Sequence, residues 1–171
     1  MTDPQDEPTA SPAGSRLPAL GPHGEGWVAI QIVLIGLAGA AGLRGPRWPR
    51  VAPSPRVLAA LALALSGSAL FASGSQRLGR QLTPFPRPMA EGSLKQEGAY
   101  SLVRHPIYGG VLLLGAAWAL LSSPLALLPL ALAGPFLEAK RSREEAWLAE
   151  RHPEYAAYRE QVRRRFIPFV W

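Results

Sequence analysis

At 171 residues and 18.3 kDa the chain has room for one ordinary domain, and its average hydropathy is close to neutral. That average hides a partition: long stretches carry no charge, while the charges crowd into two connectors and the last third, a pattern that points to a bilayer rather than a soluble domain. The absence of cysteine excludes disulfides, thiolate metal sites and a cysteine nucleophile, and the net charge of +6, set beside several apolar runs, suits the cytoplasmic face of a membrane rather than nucleic acid.

Residues 1–24 are rich in Pro, Gly, Ser and Ala and read as a disordered tail. Met1–Ala10 is acidic, unlike the basic start of a signal peptide. Two transmembrane helices are expected within 25–74. The first, Trp27–Leu43, is uncharged and opens on an interfacial aromatic. Its Gly36, Gly39 and Gly42 recur at three-residue spacing, which would let another helix approach. The second, Val57–Ser73, is rich in Ala and Leu, with Ser66, Gly67 and Ser68 as small contact residues. A Pro-rich connector with four arginines and no acids joins them.

Residues 75–171 form the expected catalytic region: a linker, a helical hairpin and cytosolic C-terminal helices. Pro106–Leu137 is 32 residues without a charge, too long for one ordinary span and short for two. Ser122-Ser123-Pro124 at its centre is a turn and helix-start signal. The predicted hairpin is therefore Ile107–Leu121 and Leu125–Leu137. About fifteen residues give roughly 22 Å against a hydrocarbon core of ~30 Å, so either the helices continue at their polar ends or the hairpin stops short of crossing. Pro129 and Pro135 predict local irregularity in its second arm. Beyond Glu138 the chain turns polar and helical, with Tyr155, Tyr158, Val162 and Phe166 as an apolar packing stripe. The closing residues, Phe166–Trp171, are expected at the interface.

The fold expected is all-α: an integral membrane bundle of about four spans with a short third/fourth hairpin. An even number of spans places the N-terminal tail, the 74–105 linker and the C-terminal region on one side. Those hold fourteen of the 18 basic residues, so the positive-inside rule puts them in the cytoplasm. Arg44, Arg47, Arg50 and Arg56 of the first connector oppose this locally. A bacterial inner membrane is the expected location.

Two constellations carry candidate chemistry. In Gly98–Gly110, GAYSLVRHPIYGG, Pro106 suits a first helical turn and holds His105 extended just outside it. Arg104 and His105 then lie beside unpaired helix N–H groups, an anion-binding position. Gly109-Gly110 remove bulk where a ligand or backbone could approach. Each residue also has a plainer role, Arg104 as an anchor, Tyr108 as an aromatic-belt residue and His105 as an interfacial polar group. The second constellation is Arg141, Arg143, Glu144 and Glu145. Helical spacing pairs Lys140 with Glu144 and Arg141 with Glu145, either as a solvated face or as carboxylates holding a cationic ligand or ribose hydroxyls.

The ordered pattern G-x-Y-x-x-x-R-H-P-x-Y-x-G, an apolar hairpin, E-E-x-x-L, Y-x-x-Y and a basic-F-I-P ending resembles the isoprenylcysteine carboxyl methyltransferase family, within a wider group that includes phospholipid methyltransferases. The resemblance runs from Leu82 to Pro168. It implies a cytosol-facing pocket for S-adenosyl-L-methionine, capped by the C-terminal helices and open to the lipid for a hydrophobic or lipid-attached methyl acceptor. By position, Gly92–Lys95 (Leu94 and Lys95 among them), Tyr100, His105, Pro106, Ile107, Tyr108 and Glu144 would contact the cofactor. Lys140 or Arg141 lies where the family places a basic residue near the acceptor. The chain departs from the family in reading Lys-Arg-Ser-Arg at that point, and Lys95-Gln96-Glu97 in the linker.

Methyl transfer from a sulfonium is an in-line displacement, so alignment supplies most of the effect. A carboxylate acceptor needs only a positioning cation, from Lys140, Arg141 or Arg104; an amine or thiol needs a base, for which His105 or Glu145 is the candidate. The expected catalytic set is therefore Arg104, His105, Arg141 and Glu145, with no metal, since three isolated histidines make no metal site. The expected partners are the acceptor and membrane lipids, not nucleic acid. A membrane reductase of related fold using NADPH, and a non-catalytic membrane accessory protein, are the alternatives.

Overall fold

An uncharged run satisfies its backbone in lipid only as a helix or within a closed barrel, and this chain takes the helical course. The computed structural model describes residues 17–49, 54–89 and 91–171, and every regular element among them is helical. The α-helices are α1 (Glu25–Arg44), α2 (Ser54–Leu78), α3 (Pro106–Leu121), α4 (Leu127–Arg151) and α5 (Tyr155–Gln161), with 3-10 turns at Gly79–Gln81, Gly98–Ser101 and Pro124–Ala126. Arg16 and Arg50, both used in the charge comparison above, lie outside the described residues, as does the expected tail up to residue 16.

Two helices, Glu25–Arg44 and Pro55–Gln81, are long and apolar enough to cross a membrane. They leave Ile32, Val33, Ile35, Leu58 and Leu65 exposed, as helices long and apolar enough to span would. The described part of the expected tail makes hydrogen bonds to the rest of the chain. Leu20 O accepts from Gly26 N at 2.8 Å, Pro18 O from the Trp27 indole at 3.2 Å, and Pro22 O from Arg87 Nη1 at 2.8 Å.

Helix α2 packs along α3 through glycine. A methyl group added at Gly67 would lie 3.0 Å from the Gly110 carbonyl oxygen, and one at Gly110 2.8 Å from that of Gly67. The small-residue expectation for α2 thus holds at Gly67. In α1 it holds only at Gly42, which abuts Trp118; Gly36 and Gly39 face open space. Instead, α1 meets α4 through Trp27 and Phe136, whose ring centroids are 5.8 Å apart.

The hairpin turn forms where expected, with Ser123 Oγ accepting from Leu125 N at 3.2 Å. Its second arm does not end at the charged boundary. Helix α4 runs 25 residues, about 37 Å, from Leu127 to Arg151. Pro129 falls in its first turn, where no N–H partner is missed, and Pro135 is carried inside the helix. The polar helix expected through Phe166 breaks at His152-Pro153, and α5 stops at Gln161. The expected stripe is accordingly divided. Tyr155, Tyr158 and Val162 pack with Leu94 and Leu148, whereas Phe166, fully buried, joins Leu112 and Leu137.

Candidate functional site

The short hairpin brings the start of α3 back against the polar half of α4. His105 Nε2 lies 3.0 Å from Glu145 Oε1, and the Tyr108 hydroxyl donates to Glu144 Oε2 at 2.5 Å. A carboxylate only accepts, so Nε2 of His105 carries the proton. His105 Nδ1 stands 3.8 Å from Glu144 Oε2. The His105 and Tyr108 rings stack with centroids 5.4 Å apart at 6°, and Phe166 closes edge-on against both.

The backbone of the motif is pinned from the C-terminal side. Arg104 N and His105 N donate to Arg164 O and Arg165 O at 3.1 and 2.8 Å. The Arg104 guanidinium donates to Glu145 Oε1 at 2.9 Å and to Val162 O and Arg163 O at 2.6 and 3.0 Å. Gly109 makes this possible: any side chain there would overlap the Phe166 carbonyl. The Arg104 and His105 amides, at the entry to α3, are therefore occupied by protein.

Glu145 is 6% exposed and bridges Arg104, His105 and Arg141, whose Nη1 sits 2.8 Å from Oε2. Burial alone would raise its carboxyl; the His105 hydrogen bond and the charges of His105, Arg141 and Arg104 outweigh it and hold the group well below the usual carboxylate range. Arg141 also pairs with Glu138, which Arg165 contacts at 2.6 Å. The helical spacing pairs Arg141 with Glu145 as expected, but not Lys140 with Glu144. Lys140 Nζ instead donates to Gln31 Oε1 at 2.6 Å and Pro84 O at 2.9 Å, joining α1, α4 and the 82–89 strap.

In front of this network lies a cavity of about 390 Å³. Helices α2 and α3 give it apolar walls from Phe71, Leu78, Ile107 and Val111; α4 gives Lys140 and Glu144; the strap and linker cover it with residues 82–89 and 92–95. Phenols reach it from Tyr100, Tyr155 and Tyr158, and Tyr158 donates to Tyr100 O at 2.7 Å. Burial raises the hydroxyl pKa of Tyr100, Tyr155 and Tyr158, with the nearby Glu144 carboxylate adding for Tyr100 and that of Glu145 for Tyr155 and Tyr158. Burial lowers the Lys140 ammonium, against the pull of Glu144.

Of the residues singled out from sequence, Leu94, Lys95, Tyr100, Arg104, His105, Ile107, Tyr108 and Glu144 line this one cavity. Pro106, Arg141 and Glu145 do not. Pro106 is buried against Gly74 of α2, and Arg141 and Glu145 stand in the wall behind His105. Of the two basic residues left as alternatives, Lys140 is the one that faces the cavity. Among the described residues, Lys95 reaches only Ser93 Oγ, at 2.9 Å. Sequence reasoning missed Gln31, although a lone amide in an apolar helix is a signal in itself; it also missed the strap carbonyl of Pro84 and the second role of Tyr155 and Tyr158.

No protein-family model matches this chain, and no curated protein does. The site's own geometry must carry the functional reading.

Proposed function

We propose that the protein is an integral membrane methyltransferase that uses S-adenosyl-L-methionine and methylates a hydrophobic or lipid-attached acceptor. The observation that carries the reading is Glu144. Its Oε2 is held by Tyr108, while Oε1 has no protein partner among the described residues, at the wall of a cavity lined by three further phenols. A sulfonium-bearing nucleoside needs such surroundings: a carboxylate for its cationic and hydroxyl groups, aromatic faces for the cation, and a volume in the range of about 300–1,000 Å³. The cavity's 390 Å³ lies at the small end of that range. The ordered motifs from Leu82 to Pro168 support the same reading.

Bound there, S-adenosyl-L-methionine supplies an electrophilic methyl group, transferred by in-line displacement. The chain's part is to position and to exclude water. Tyr108 fixes the Glu144 carboxylate, Phe71, Ile107 and Val111 offer an apolar wall to the acceptor, and the strap and linker cover the site. Glu145 and Arg141 act as positioning residues, since Glu145 sets Arg104 and His105 rather than reaching the cavity. For an acceptor that must lose a proton, His105 is the candidate base at the wall; for a carboxylate acceptor, Lys140 is the cation there.

In this reading α3 and the apolar half of α4 complete a four-span bundle. The 74–105 linker and the C-terminal region face the cytoplasm of a bacterial inner membrane, on the count of basic residues.

Calorimetry of the purified protein with S-adenosyl-L-methionine and S-adenosyl-L-homocysteine tests the cofactor; binding of neither would end the proposal. Labelled methyl transfer into fractionated membranes identifies the acceptor, with label expected in a lipid-extractable fraction.

A further inference from the structure

The C-terminal turn closes on itself. The amides of Arg165, Phe166 and Ile167 all donate to the Trp171 carbonyl oxygen, at 3.0, 2.8 and 2.9 Å. Phe169 in this turn sits at φ +66, a left-handed conformation costly for an aromatic residue. Its side chain serves no packing in return: Phe169 is 85% exposed and Val170 beside it 78%.

The turn's position along the bundle is set by its anchors. Phe166 packs between Leu112 and Leu137, and the Trp171 ring lies over Gly134. Those residues belong to the last part of the uncharged 106–137 run and its first helix, so the turn sits where apolar chain gives way to charged chain. On its polar side a shallow cleft of about 330 Å³ is lined by Ser101, Leu102, Gln161, Arg163, Arg164 and Phe169. The carbonyls of Arg163 and Arg164 are taken by Arg104. Their guanidinium groups are exposed and have no protein acceptor among the described residues.

We propose that this turn docks on an anionic phospholipid leaflet, Phe169 and Val170 entering the acyl boundary while Arg163 and Arg164 bind lipid phosphate. The inference rests on the membrane reading and is independent of methyl transfer. An exposed apolar tip beside unpaired cations is what an anionic interface accommodates, because it removes the tip from water and neutralises the cations together. A soluble phosphate would answer the arginines and leave the tip in water. Since the carbonyls of Arg163, Arg164 and Arg165 hold Arg104 and His105, the docked lipid stands one backbone step from the candidate site.

The test uses the full chain in neutral detergent, titrated with dioctanoyl phosphatidylglycerol, dioctanoyl phosphatidylcholine and inorganic phosphate, with bound lipid read by native mass spectrometry. Phosphatidylglycerol should saturate a site that phosphatidylcholine fills weakly and phosphate does not compete for at equal concentration. Each arginine at an anionic surface is worth about five-fold, so R163A/R164A should weaken phosphatidylglycerol about thirty-fold, with R163K/R164K retaining most of it. F169S should weaken it as well, with both arginines present. All of these side chains are exposed, and thermal unfolding checks that each variant folds. Equal affinity for the two lipids, full affinity in R163A/R164A or in F169S, or competition by phosphate overturns the proposal. Release of the protein from membranes by alkaline carbonate would overturn the membrane reading beneath it instead.

Discussion

Tyr108 and Glu144 are 36 residues apart in sequence and 2.5 Å apart in space, joined by a hydrogen bond from phenol to carboxylate. The bond crosses from the first turn of α3 to the polar half of α4, and it commits one oxygen of Glu144 while leaving the other to the cavity. Tyr108 is stacked on His105 in turn, so the carboxylate's orientation depends on the same motif that starts the helix.

Replacing Glu144 by Gln keeps an acceptor for Tyr108 and removes the charge. Hydrogen bonds to charged groups are worth about 1.5–3 kcal/mol, so affinity for S-adenosyl-L-homocysteine should fall roughly ten- to hundred-fold, measured by calorimetry. The melting temperature should hardly move. A variant that binds as wild type would remove Glu144 from the ligand's surroundings.

Glu145→Ala is expected to behave differently. It strands Arg104, 7% exposed, without its carboxylate, and breaking a buried pair costs about 3–5 kcal/mol. Denaturant unfolding should show the loss before any ligand is added. The same residue sets an acid limit. Its folded pKa lies below the ordinary 4.5, so its contribution is complete above that value and is lost as pH falls below it. Stability measured from pH 7 downward should drop below about pH 4.5 in wild type and drop less in Glu145→Gln.

At the alkaline end the buried phenols act in the opposite sense. Tyr100, Tyr155 and Tyr158 have folded pKa values above the ordinary 10.0. The folded state therefore retains protons that the unfolded chain gives up, and stability declines as pH rises past about 10. Ultraviolet titration should show these phenols ionising only together with unfolding. Reversible ionisation near pH 10 in the folded protein would contradict their burial.

Gly109→Ala places a methyl group into the Phe166 carbonyl. The C-terminal segment must move, taking with it the backbone bonds to Arg104 and His105. Overpacking of this kind costs about 1–3 kcal/mol, and hydrogen exchange at the His105 amide should accelerate. Gly36→Ala and Gly39→Ala, which meet open space, should leave stability equal or higher, since alanine favours helix by up to about 1 kcal/mol.

Much of this arrangement is legible in the chain because single residues dictate it. Ser123-Pro124 announces the turn, and Pro106 starts α3. The even return of the hairpin brings Glu144 and Glu145 to Tyr108 and His105. What is not legible depends on partners distant in sequence. Spacing alone assigns Lys140 to Glu144, yet Gln31 and Pro84 O, 109 and 56 residues away, hold its ammonium. The stripe through Phe166 has helical spacing, but backbone pairing of residues 164 and 165 with 104 and 105 draws that segment out of helix. Composition likewise gives no sign of partners for the chain before Glu25, whereas Arg87 and Trp27 reach back to the carbonyls of Pro22 and Pro18.

The unbroken course of α4 has a mechanical consequence. Between Leu127 and Glu144 lie about 25 Å of continuous helix, so a tilt of about 5° of the whole helix would swing the carboxylate by about 2 Å. Bilayer thickness is one of the quantities that sets helix tilt. A thinner or thicker membrane would shift Lys140, Glu144 and Glu145 together against a motif held still by α2 and the C-terminal segment. In the four-span reading, the cavity's dimensions would therefore follow the thickness of the surrounding lipid.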